Sequence, residues 1–232
     1  CIFESYTRRE IPSAVLGPAE GQITLFGTEA IATDPTHARR VANGLTRLGP
    51  MVRERVMTGF LSTEEEKDLI LLRFARRCFD EGPRAVQMLG DPDVHAAFVL
   101  ERNVNNEVCR FIEFIRFEEK DGMLGSVIHP KNNVLPLLRG HFCSRLPDED
   151  FLIFDAAHGT ALLRQSGHVQ YLAMEHYEPA RDTDELNWQA LWKRFFHALT
   201  IEERRNAKAQ MNHAGAPVAE ELVFRGVIQS RL

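Results

Sequence analysis

Apolar positions recur every three or four residues through the first half of the chain. In the second half they alternate or run together. Ile2 to Glu10 reads as the tail of an amphipathic helix. Residues 12–34, punctuated by Pro12, Gly17, Pro18, Gly21 and Gly27, lack helical period and predict an irregular connection with a short extended piece at Ile23–Phe26. Asp34-Pro35 joins an N-cap residue to proline at the first helical position. Ala38, Val41, Ala42 and Leu45 then form one stripe and predict a helix over 35–48. Gly49-Pro50 ends it, and Val52, Val56, Met57 and Phe60 mark a second helix. Ser62-x-x-Glu65 has the form of a capping box, and Leu69, Leu72, Ala75 and Phe79 carry the next helix to Gly82-Pro83. A short helix over 84–90 follows. Asp91-Pro92 opens a long one, with Val94, Ala97, Phe98, Val104, Val108, Phe111 and Ile112 on its buried face.

The period then changes. Phe114–Glu119 and Met123–Ile128 flank Lys120-Asp121-Gly122, a hairpin signal. A helix from about Asn133 to Arg145 tolerates Pro136 in its first turn. Phe151–Asp155, Thr160–Arg164 and Val169–Met174 predict three short strands joined by turns at Gly159 and Gly167. After a polar link, Asp182-x-x-Glu185 starts a last helix with Trp188, Leu191, Trp192, Phe195, Phe196 and Leu199 on one side, a stripe that core packing explains without a cofactor. The expected architecture is α+β: a helical N-terminal half packed on a mainly antiparallel ββαβββα C-terminal half. Phe151-Leu152-Ile153-Phe154 has no polar alternation, which predicts a sheet covered on both faces. We therefore expect one cooperative domain over 1–213, with 1–113 mostly helical and 114–213 sheet plus helices, and a divergent tail over 214–232.

Composition narrows the function classes without selecting one. The chain has 232 residues, 44% hydrophobic and 26% charged, with a net charge of −5. It is neither disordered nor a polycation that coats nucleic acid by charge alone. No apolar run reaches the length of a bilayer span, so no membrane partner is expected. Cys1, Cys78, Cys109 and Cys143 form no C-x-x-C pair and no disulfide framework, and no secretory segment is present, which predicts a cytoplasmic setting. The start at Cys1 reads as a truncated helix in preference to a lipid-attachment site.

Motifs for nucleotide loops, serine hydrolases and zinc proteases are absent. His129, His141, Cys143 and His158 can each ligate a metal, but His141-x-Cys143 points its two side chains to different sides of a helix; neither metal nor organic cofactor is expected. Asp155 with His158 straddles a strand end and a turn, where a carboxylate can orient an imidazole for acid–base work or simply form an Asx turn. Arg116, read on a strand beside Phe114, suits a phosphate or a base, or a buried pair with a carboxylate such as Asp155. These three are the weak catalytic candidates, and no nucleophile accompanies them. Asn132-Asn133 is first a helix cap, though such a start also offers N–H groups to anions, and His141 and Arg145 extend that surface. Residues 190–210 form a basic segment (Lys193, Arg194, Arg204, Arg205, Lys208) on an acidic chain, either a solvated face or a phosphate-contacting patch.

Taken in order, several segments resemble a bacterial family of unknown function labelled as DNA-metabolism or DNA-repair proteins. The carrying pieces are Phe114-Ile115-Arg116-Phe117, His129-Pro130-Lys131-Asn132-Asn133-Val134-Leu135-Pro136-Leu137-Leu138, His141-Phe142-x-x-Arg145, Phe151-Leu152-Ile153-x-Asp155, Gly159-x-Ala161-Leu162, Trp188-x-x-Leu191-Trp192-x-x-Phe195-Phe196 and Ile201-x-x-Arg204-Arg205-Asn206. Members accompany a radical-SAM protein and are sometimes fused to a uracil-DNA-glycosylase-type domain. The family usually has His-Asn where this chain has Asn132-Asn133, and a Pro, basic, Tyr, Trp segment where this chain runs Ala214-Gly215-Ala216-Pro217. The resemblance implies a DNA-binding accessory protein with those partners. Its expected contacts are Asn133, His141, Arg145, Lys193, Arg204, Arg205, Asn206 and Lys208. An enzyme acting on nucleic acid through Arg116, Asp155 and His158, and a protein–protein adaptor, remain the alternatives.

Overall fold

The computed structural model describes residues 1–16, 28–120 and 122–177. They form an α+β protein in two compact units, with the boundary after Asn105. The expected strand at Ile23–Phe26, the helix with Trp188 and Trp192, and the tail lie outside the described residues.

In the N-terminal unit, α1 (Ile2–Thr7), α2 (Pro35–Leu48), α3 (Pro50–Phe60) and α4 (Lys67–Glu81) precede a 3-10 turn at Pro83–Gln87 and the start of α5 (Pro92–Phe114). Asp34 caps α2 as its sequence implied: one side-chain oxygen accepts the N–H groups of Thr36 and His37. Asp91 does the same for α5 through Asp93 and Val94. Ser62 does not act as the capping box suggested. Its hydroxyl accepts the Glu64 N–H, α4 begins only at Lys67, and the Lys67 ammonium donates to the Phe60 and Ser62 carbonyls. The core joins Leu45, Val52, Leu71, Phe74, Cys78, Val94, Ala97 and Leu100. Into it reaches Arg55, which donates to Glu101 at 2.7 Å and to the Val86 carbonyl at 2.9 Å and lies over the rings of Phe74 and Phe98.

The C-terminal unit is a five-stranded sheet in sequence order: β1 (Glu118–Lys120), β2 (Met123–Ile128), β3 (Asp150–Asp155), β4 (Thr160–Gln165) and β5 (His168–Ala173). Three ladders are antiparallel. The β2–β3 ladder is parallel, because α6 (Leu135–Arg145) carries the chain back to the starting edge. Strand alternation sends Phe151, Ile153 and Asp155 to one face and Leu152 and Phe154 to the other. On the first face, Phe117 packs edge-on against Phe142 of α6 and Phe151 of β3. On the second, Leu152, Phe154, Ala161 and Leu163 form a cluster with Val127, Leu172 and Tyr177. Tyr177 lies so close over Gly125 that a Cβ there would collide with its hydroxyl. Burial pushes the Tyr177 phenol up, and the Glu118 carboxylate pushes it the same way.

Two sequence readings of this unit need correction. Residues 114–117 are not a strand: α5 continues through Phe114, and β1 begins only at Glu118. Phe111, Phe114 and Ile115 are spaced three and four apart, so the apolar run continues the helix instead of opening the hairpin. The helix expected from Asn133 begins at Leu135 behind Val134, with no side-chain cap.

Candidate functional site

The parallel ladder fixes where a site can form. Ile128 pairs with Asp155, and the Ala156 N–H donates to the Ile128 carbonyl, so the carboxyl ends of β2 and β3 lie side by side. In sheets with parallel strands, the crevice beyond such ends is where ligands are held. Two loops leave from it, His129–Val134 and the tight turn Ala156–Gly159. Gly159 has φ +62, a left-handed conformation that lets β4 return at once.

Asp155 is buried at the end of β3, with 1% of its surface exposed. One carboxylate oxygen accepts the N–H groups of Ala157 and His158; the other lies 2.7 Å from His158 Nδ1. The Asx turn and the carboxylate–imidazole pair, weighed as alternatives from sequence, are thus both present in one residue. Burial pushes the Asp155 carboxyl up, while the His158 ring and the two N–H groups pull it back. The His158 side chain is about one-fifth exposed. With Nδ1–H donating to Asp155, Nε2 is the ring nitrogen left to accept a proton or meet a ligand.

The neighbouring loop is held by a residue that sequence reading passed over. Glu107 of α5 accepts the backbone N–H groups of Lys131 and Asn132 and the Asn132 side-chain amide, at 2.6, 2.9 and 2.7 Å. Asn132 is therefore buried against a carboxylate and is not the helix cap its position suggested. A lone acid inside a long helix carries no local signal that it will meet a loop more than twenty residues away.

The other candidates disperse. Asn133 is half-buried just before α6, whereas Arg145 is exposed in its last turn, at the far end of a helix about 16 Å long at ~1.5 Å per residue. His141, one turn before Arg145, is half-buried, and its Nε2 is buried without a hydrogen-bond partner while its ring meets Phe142 edge-on. His141 is thus a poor extension of a phosphate-binding surface. Arg116 sits in the link between α5 and β1, not on the sheet. Among the described residues, no three His, Cys, Asp or Glu side chains converge as a metal site. Lys193, Arg204, Arg205, Asn206 and Lys208 lie outside the described residues.

Residues 65–222 match the family model described as a domain of unknown function, DUF4130, and the chain belongs to that family. The match includes the Asp155–His158 pair and the Glu107-held loop. No curated protein and no solved structure matches the chain. Among the described residues, no helix is long and apolar enough to cross a membrane.

Proposed function

We propose that this member of the DUF4130 family is an accessory protein of DNA metabolism that holds nucleic acid and works beside a radical-SAM protein or a uracil-DNA-glycosylase-type domain. The observation that carries the reading is the Asp155–His158 pair at the carboxyl ends of β2 and β3. The Asp155 carboxylate fixes the orientation of the ring, and a partly exposed, oriented imidazole beside the ends of two parallel strands is suited to a phosphate. The ordered resemblance from Phe114 to Asn206 supports the same reading.

The pair also supports a second reading, an enzyme acting on nucleic acid with His158 as general base oriented by Asp155. Binding and turnover separate the two. The full chain should retain a labelled oligonucleotide at low salt, and His158→Gln should weaken retention several-fold. Reversing Arg204 and Lys208 to Glu should abolish it. Turnover of a DNA substrate by the unmodified chain, lost in His158→Gln while retention persists, selects the enzyme. Equal retention by all variants leaves the adaptor reading, which copurification with the radical-SAM protein then tests.

A further inference from the structure

A concave surface lies wholly within the N-terminal unit, where α1, α2 and α4 line a cleft of about 830 Å³. That volume falls in the range of ligand pockets. Its apolar lining comes from Ile2, Phe3, Val41 and Phe79, together with the Tyr6 ring. Gly44 makes room for the floor: a Cβ there would press into the Phe79 ring. One rim is the exposed face of α2, with Arg39, Arg40 and Arg47 and no acid anywhere in the helix. Among the described residues, none of the three has an acidic partner. Arg40 lies 5.7 Å over the Phe3 ring. The one carboxylate in the lining, Asp80, is taken by the Tyr6 hydroxyl at 2.8 Å. Burial and Asp80 together push the Tyr6 phenol up to about 12, so it stays a donor and Asp80 stays engaged.

An arginine rim over an aromatic floor is the chemistry that holds a phosphate ester beside a flat ring. The spacing adds direction. Arg39, Asn43 and Arg47 follow at intervals of four residues and share one stripe. Arg39 and Arg47 are about 12 Å apart along the axis at ~1.5 Å per residue. That is too far for one phosphate group to meet both guanidinium groups, so a ligand that bridges them carries separate phosphates along one strand. We propose that the α1–α2–α4 cleft binds a single-stranded nucleic acid segment, with Arg39 and Arg47 on separate phosphates of the strand and the Phe3, Tyr6 and Phe79 side receiving a base. This site is separate from the strand-end pair in the C-terminal unit.

The experiment is fluorescence anisotropy of the full chain with labelled oligo-dT at stepped salt. Arg39→Glu/Arg47→Glu should weaken binding at least tenfold and lower the log–log salt slope by roughly 1.4, about 0.7 for each single-strand phosphate that is no longer neutralised. Both side chains are exposed, and an unchanged melting temperature verifies folding of the variant. Binding unchanged in this variant but lost in Asp155→Asn and His158→Gln overturns the inference and leaves the strand-end site standing. Loss in the arginine variant alone upholds the cleft even where the strand-end reading fails. Competition by thymidine monophosphate at the affinity of the strand, by inorganic phosphate equally well, or by polyglutamate equally well each overturns the assignment to a strand.

Discussion

Arg55 in the helical unit and Asp155 in the sheet unit are both buried charges, and their surroundings differ in kind. Arg55 keeps its charge at any working pH and is closed in by a carboxylate, a backbone carbonyl and two aromatic rings. Asp155 sits at a strand end, its pKa pushed up by burial, and its side-chain partner is a partly exposed imidazole. A fixed charge with fixed partners is a structural clamp. A titratable charge whose partner faces outward is a place where proton transfer or ligand binding can occur.

The largest expected effect breaks the clamp. Arg55→Met leaves Glu101 without its guanidinium, and we expect a loss of about 3–5 kcal/mol in denaturant unfolding. The double variant Arg55→Met/Glu101→Met should recover most of it, because the cost lies in the stranded charge. Equal instability of single and double variants would mean that Arg55 acts through packing instead.

A smaller loss is expected at the second face of the sheet. Gly125→Ala places a Cβ against the Tyr177 hydroxyl, and displacing that ring should cost about 1–3 kcal/mol. Gly125→Ala combined with Tyr177→Phe should be milder than Gly125→Ala alone.

The titration of Asp155 sharpens the comparison further. A carboxyl whose folded pKa is raised binds more protons folded than unfolded between its unfolded value, about 3.9, and its folded value. Stability from this group therefore falls as pH rises through that window and stays at the lower level above it. Urea unfolding against pH should show this downward component, and Asp155→Asn should remove it. Arg55→Lys should not alter the profile in that window. A profile unchanged by Asp155→Asn would deny that burial strains this carboxylate.

The smallest effect is an absence of reaction. The Cys78 thiol is buried in the helical core and pushed up to about 11 by desolvation. Cys1 and Cys109 are exposed. A thiol-reactive dye at mildly alkaline pH should label those two promptly and Cys78 only after unfolding. Prompt labelling of Cys78 would show that the helical unit opens locally.

Much of this comparison was legible from sequence, for reasons that differ by element. Asp34 and Asp91 announced their helices because a cap is a local contract between a side chain and N–H groups two and three residues on. Asp155 and His158 were found because their partnership also closes within a turn. Phe114–Phe117 misled because a compact apolar run satisfies both helical and strand periods, and only the continuation of α5 decides. Glu107 and the parallel β2–β3 ladder were not legible: each joins parts of the chain more than twenty residues apart, with no local pattern marking the partner. The α2 arginines look like a solvated helix face until α1 and α4 supply the aromatic floor beneath them.

The parallel ladder has a kinetic consequence. β3, β4 and β5 are joined by tight turns and can pair with little loop entropy, whereas Met123 must find Asp150 across the whole α6 crossover. A chain that has formed the β3–β4–β5 meander but not yet closed the crossover presents Phe151-Leu152-Ile153-Phe154 as an open edge strand, the kind of segment that recruits other chains. Closure of the β2–β3 ladder across the α6 crossover covers that edge and is thus a safeguard against aggregation during synthesis. It is also the event that creates the Ile128–Asp155 junction, so the species most prone to self-association is one in which the candidate site does not yet exist.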